Sequence, residues 1–139
     1  MRLLALDPGE MTGYVYVDTG PSGYVSGDNI VRELGSFPEA DGVAPLLQRL
    51  RPDCVLLEGF RLRPQRARSQ YNRTMTTSEI IGIIQTRIKA ENIPMHVLPP
   101  AEDRPVQAIF GKMYKGIRGR HARAAFRLVA AYVLSGSVK

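Results

Sequence analysis

The chain opens on short apolar runs and closes on longer stripes of helical period. Leu3 to Leu6 is unbroken apolar sequence that stops at Asp7-Pro8-Gly9, and Tyr14 to Val17 is β-branched and aromatic, so both read as strands. Gly20-Pro21-Ser22-Gly23 is a turn signal, and Gly23 to Ser26 and then Val31 to Phe37 continue as antiparallel strand. From about Pro38 to Leu50 the apolar positions Val43, Leu46, Leu47 and Leu50 fall at helical spacing, with Pro52-Asp53 as the stop. Cys54 to Glu58 has no alternation, the mark of a strand buried on both faces. Arg61 to Thr77 is a polar loop.

Thr77 or Ser78 can cap the next helix, whose stripe is Ile80, Ile81, Ile84 and Ile88 and which Pro94 closes. Met95 to Leu98 is the fifth strand. Pro99-Pro100 then breaks the chain before a short helix around Val106 to Phe110. A last helix, about His121 to Leu134, buries Ala125, Leu128, Val129 and Tyr132. Strands first, then alternating helix and strand, predict an α/β fold with a mixed five-stranded sheet flanked by helices.

The 139 residues suit a single domain spanning 1–139. No apolar run reaches the roughly 18 residues a membrane helix requires, and the opening residues lack a signal-peptide cleavage region. The lone Cys54 sits inside an apolar run, so it reads as a core thiol rather than a nucleophile. A cytoplasmic protein is expected.

Charge is distributed unevenly. Residues 1–60 hold four basic and nine acidic residues, a net of −5, whereas residues 61–139 hold fifteen basic and four acidic, a net of +11. From Arg104 onward there is no acid. Most of the basic residues are Arg, whose planar fork pairs with phosphate, so a nucleic-acid partner is preferred to a merely solvated face.

Two carboxylates stand out. Asp7 ends a buried strand at a Pro-Gly turn, where Gly9 and Gly13 allow close backbone approach and could admit a phosphate. Glu58 ends the second buried strand, where a carboxylate is costly unless paired or bound to metal. An ordinary turn for Asp7 and a salt bridge from Glu58 to Arg61 or Arg63 remain the plain alternatives. Two acids at the ends of adjacent strands in a basic protein make a plausible magnesium site. His121 opens the last helix and shares a face with position 124, as metal ligand, proton-transfer group or solvent-exposed residue. His96 has no acidic neighbour in its strand and reads as structural.

These residues resemble a known family. Leu4-Ala5-Leu6-Asp7-Pro8-Gly9 with Thr12-Gly13, then Val55-Leu56-Leu57-Glu58, resemble the two acidic strands of RuvC-like Holliday junction resolvases. Phe60-Arg61-Leu62-Arg63-Pro64 and Ile80-Ile81-Gly82 are similar to a compact phage-type branch, and Gly119-Arg120-His121-Ala122-Arg123-Ala124-Ala125 resembles the closing motif. The likeness runs in order over nearly the whole chain.

It implies a ribonuclease H-like fold, a homodimer, two Mg²⁺ or Mn²⁺ ions per site and paired symmetric nicks in four-way DNA junctions. Asp7, Glu58 and His121 fall on its metal-site positions. Ala124 stands where the family has a catalytic Asp. Deliberate replacement is preferred to natural degeneracy because the rest of the motif is intact, and an impaired nuclease is expected.

Under this resemblance the basic residues Arg61, Arg63, Arg66, Arg68 and Arg73, with Lys112, Lys115, Arg118 and Arg120, flank the metal site as DNA contacts. Tyr71 and Tyr114 are candidates for base stacking, with core or surface placement the plainer alternative. The Ile stripe reads as core, with one edge available to a dimer partner. Two rivals remain. A YqgF-like nuclease acting on RNA usually carries Asp-Tyr-Gly where this chain has Asp7-Pro8-Gly9, and a non-catalytic junction-binding protein is kept alive by Ala124. Sugar-kinase and actin-like ATPases need a second domain that this length does not supply.

Overall fold

The computed structural model describes residues 1–19, 31–59, 77–99, 114, 117 and 119–134, the last without its side chain. Five strands, β1 (Arg2–Asp7), β2 (Thr12–Asp18), β3 (Val31–Phe37), β4 (Cys54–Glu58) and β5 (Met95–Leu98), form one sheet in the order β3-β2-β1-β4-β5. β1 pairs antiparallel with β2 and parallel with β4, so the first strand of the chain lies at the centre and the sheet is mixed. β2 and β3 are antiparallel and β4 and β5 parallel. A 3-10 turn (Ala40–Gly42) leads into α1 (Val43–Leu50), and α2 (Thr77–Ala90) and α3 (Arg120–Leu134) complete the described elements.

Successive strand residues point to opposite faces, and this alternation builds two cores. Leu4, Leu6, Val55 and Leu57 pack under α1 and α2 against Val43, Leu46, Leu47, Ile80, Ile84 and Ile88. Leu3, Ala5, Val15, Val17, Cys54 and Leu56 pack under α3 against Ala122, Ala125, Phe126, Leu128, Val129, Ala130 and Tyr132. β1 and β4 are apolar at both parities because helices cover both of their faces. A fully buried Leu or Ile there contributes on the order of 1.5–3 kcal/mol.

The end of the sheet where β1 and β4 begin is tied by polar contacts. The Arg2 backbone N–H donates to the Asp53 carboxylate at 2.8 Å, and the Arg2 guanidinium lies 3.5 Å from it. These contacts hold the Asp53 carboxyl below its ordinary range, the backbone hydrogen bond foremost. Burial pushes the Cys54 thiol up to about 11, so it stays protonated in the core, as its apolar run predicts.

Two helix ends differ from expectation. α1 stops at Arg51, which adopts left-handed backbone (φ 47°) and donates its N–H to the Leu47 carbonyl before Pro52 is reached. α2 ends at Ala90, with left-handed Asn92 (φ 56°) and the Ile93 N–H turned back to the Ile88 carbonyl. That reversal satisfies carbonyls that a proline stop would leave open, and Pro94 only starts the approach to β5. The Gly23–Ser26 strand and the 106–110 helix lie outside the described residues.

Candidate active site at the carboxyl ends of β1 and β4

The same alternation places the two carboxylates. Leu3 and Ala5 face α3, so Asp7 does too; Cys54 and Leu56 face α3, so Glu58 does too. The parallel register runs from Leu3 opposite Cys54 to Leu6 opposite Leu57, and the same step sets Asp7 level with Glu58. Both are half-buried at the carboxyl ends of neighbouring parallel strands. Ligands of open α/β sheets gather at such ends.

α3 is brought to this end by a glycine. Asp7 pairs across the antiparallel ladder with Gly13, whose parity with Val15 and Val17 turns it toward α3. A Cβ built on Gly13 overlaps the backbone carbonyl of His121 and lies 2.7 Å from its Cβ. Only a residue without a side chain lets the first turn of α3 rest directly on β2. Gly13 therefore receives a helix backbone, where the sequence suggests room for a phosphate. The contact is also how His121 reaches the carboxylate end.

Gly119, at φ +88°, turns the chain into α3, and its carbonyl accepts the Arg123 N–H at 3.1 Å. Behind the Asp7 turn, the buried Thr12 hydroxyl donates to the Gly9 carbonyl at 3.4 Å.

His121 and Ala124 are both half-buried and share a face one turn apart. Asp7, Glu58, His121 and position 124 thus come from three elements to one corner of the fold. They do not close into a full ligand set: among the described residues no three His, Cys, Asp or Glu side chains stand close enough to share an ion. Two oxygen donors on one face suit a hard divalent cation, but position 124 offers only a methyl group.

Of the predicted DNA contacts, Arg120 is exposed at the start of α3. Arg61, Arg63, Arg66, Arg68, Arg73, Lys112, Lys115 and Arg118, together with Tyr71, lie outside the described residues. Tyr114 takes the plainer of its two readings. It is 2% exposed and stacks on Phe126, with ring centroids 6.3 Å apart and planes 27° apart, so it is core and not a base-stacking platform. The Arg123 guanidinium lies 4.7 Å from the Tyr114 ring centre. His96 lies against Tyr132 with ring centroids 5.3 Å apart, in keeping with a structural role. No described helix is long and apolar enough to cross a membrane.

Solved structures share this fold over the whole chain or nearly so. RuvC of Thermus thermophilus aligns over 100% of this chain and 99% of its own, with TM-score 0.65 and 17% identity. The same organism's RuvC in complex with a Holliday junction substrate aligns over 100% of this chain and 98% of its own, with TM-score 0.67 and 16% identity. The fold is RuvC-like. Fowlpox virus resolvase, in complex with substrate Holliday junction DNA, aligns over 97% of this chain and 98% of its own, with TM-score 0.63 and 15% identity. No family model and no curated protein matches the sequence. At these identities the likeness concerns the fold, and the ribonuclease H-like mixed sheet expected from the sequence is the one found.

Proposed function

We propose that this chain is a structure-specific endonuclease that binds four-way DNA junctions and nicks them in symmetric pairs, and that Ala124 leaves its cutting impaired. The observation that carries this reading is the level placement of Asp7 and Glu58 on one face, beneath the helix turn that bears His121 and position 124. Support also comes from the neighbours of the same fold, two of which are complexes with Holliday junctions. Asp7 and Glu58 would hold a divalent cation, Mg²⁺ or Mn²⁺. A cation bound there would polarise the scissile phosphate and acidify a coordinated water.

Hydrolysis puts a water oxygen on phosphorus and breaks one P–O ester bond, so a proton must leave the water and another must reach the departing oxygen. His121, whose backbone rests on Gly13, would supply an imidazole able to take or hand on a proton, or a further metal ligand. Asp7, on the central strand with neighbours on both sides, would orient the reacting group. The methyl at 124 does none of this, and a second cation lacks the carboxylate expected there.

Arg120 and the basic residues of 61–73 and 112–118 would grip phosphates around the site. Paired nicks call for two sites related by a two-fold axis, so a C2 dimer is expected in sedimentation at micromolar concentration. The competing reading, a junction binder that does not cut, is favoured by the two-donor set of the chain as it stands.

One comparison separates them. On a synthetic four-way junction with Mg²⁺, Ala124→Asp should raise paired nicking on the order of 100-fold or more, and adding Asp7→Asn should abolish it again. An Ala124→Asp protein that folds, dimerises and binds junctions yet never cuts would leave only the binder.

A further inference from the structure

The described residues of α3 carry three arginines and no acid, and the three share one ridge. Arg120, Arg123 and Arg127 are three and four residues apart, the spacing that aligns side chains along a helix. The ridge runs along the flank of α3, beside the buried stripe formed by Ala122, Ala125, Phe126, Val129 and Tyr132, and the Nε atoms of Arg123 and Arg127 are both buried. Arg120 is exposed, and Arg123 and Arg127 are half-buried.

Arg123 is preset. Its guanidinium rests over the Tyr114 ring, which is itself stacked on Phe126. Its Nε is buried and meets no hydrogen-bond acceptor among the described residues, so its neutralising partner is not supplied at that atom. A guanidinium stacked on an aromatic face loses little freedom on binding and still presents its terminal N–H groups as a fork for phosphate. The ridge begins beside His121 and leads away from the carboxylate corner along the helix.

We propose that Arg120, Arg123 and Arg127 form a phosphate-binding ridge that carries a DNA strand from the Asp7–Glu58 corner along α3. The proposal rests on the junction-binding reading above and adds Arg123 and Arg127 to it as backbone contacts. Phosphate recognition of this kind is independent of sequence and strongly dependent on salt, because each neutralised phosphate releases counterions. Arg123 and Arg127 therefore contribute to affinity and to placing the strand, not to choosing bases.

The test is a salt titration of the full-length chain binding a labelled four-way junction in chelator, with Arg123→Gln, Arg127→Gln and the double variant. Arg87→Gln, on the opposite layer, removes the same charge and is the control. Each ridge variant should weaken binding about tenfold and lower the slope of log affinity against log salt by about 0.9 for each phosphate that is no longer neutralised. Arg123→Lys should keep the slope and lose affinity, because an ammonium retains the charge without the stacked fork.

If Arg123→Gln fails to fold because Tyr114 loses its cover, Arg127→Gln still decides the matter. Unchanged affinity and slope in a folded Arg127→Gln variant would overturn the ridge, as would an equal loss in Arg87→Gln. No junction binding by the unaltered chain would instead defeat the functional reading on which the ridge rests.

Discussion

On the face covered by α1 and α2, arginines close onto acids. Arg49 grips Glu33 through two hydrogen bonds of 2.7 Å, Arg87 reaches Asp41 at 3.1 Å, and Arg51 reaches Glu91 at 3.3 Å. On the face covered by α3, Arg120, Arg123 and Arg127 stand on a helix without a single carboxylate. The first layer uses its cations to pin helix to helix and helix to strand. The second carries its arginines on the side where Asp7 and Glu58 emerge. The two layers thus differ in local acid content, with α1 and α2 set among carboxylates and the described residues of α3 carrying none.

The sharpest way to break this comparison uses glycines on the two layers. Gly13→Ala puts a methyl into the His121 backbone, and overpacking of that kind costs about 1–3 kcal/mol. Chemical denaturation should show that loss. In an Ala124→Asp background, nicking should fall further than the stability change explains, because the first turn of α3 must lift from the sheet. If Gly13→Ala were as stable and as active as its parent, His121 would not be held by this contact.

A smaller effect tests the cohesive side. Tyr14 donates to Glu33 at 2.6 Å while Arg49 grips the same carboxylate, and these bonds lower Glu33 from 4.5 to about 2, the Arg49 contact foremost. Because the folded value lies below the unfolded one, the stabilisation is fully present above about pH 4.5 and is lost as pH falls through about 2. Glu33→Gln should cost up to about 1 kcal/mol near neutral pH, the group being partly exposed. The gap between variant and parent in thermal unfolding should close toward pH 2. Junction affinity should not change, since Glu33 stands on the cohesive face.

The smallest expected change is a gain. Gly82 lies exposed in α2, and a Cβ there meets nothing within 4 Å. Gly82→Ala should stabilise the protein by about 0.5 kcal/mol through helix propensity alone. A loss on this substitution would point to a neighbour seated against α2, the kind of contact a dimer would make there.

Much of this layout is legible in the amino-acid sequence. β4 reads residue for residue as Cys54–Glu58, and the unalternating run of β1 announces a strand covered on both faces, because burial of both parities leaves no polar position to write into the sequence. Asp7 and Glu58 are legible for the same reason, as the polar residues that end such runs. Other features are not. Gly13 carries a recognisable signal, a glycine at the start of a strand, but nothing local says whether a ligand or a helix fills the space. Tyr114 sits among basic residues, so its neighbours in sequence suggest a surface, whereas its neighbours in space, Phe126 and Arg123, make it core. The end of α2 at Ala90, closed by left-handed Asn92, is masked by a proline two residues after that asparagine, the louder signal, although left-handed asparagine ends a helix as effectively.

The contact between Gly13 and His121 also ties the carboxylate end of the sheet to α3. It joins the second strand to the last helix, so nearly the whole chain must be in place before it forms, and contacts so distant along the chain form slowly. Asp7 can enter a β1–β2 hairpin early, and Glu58 joins once β4 docks beside β1. His121 arrives only with α3. A chain that ends before residue 120 lacks the layer that buries Leu3, Ala5, Val15, Cys54 and Leu56, so the two carboxylates and the imidazole come together only where α3 is docked.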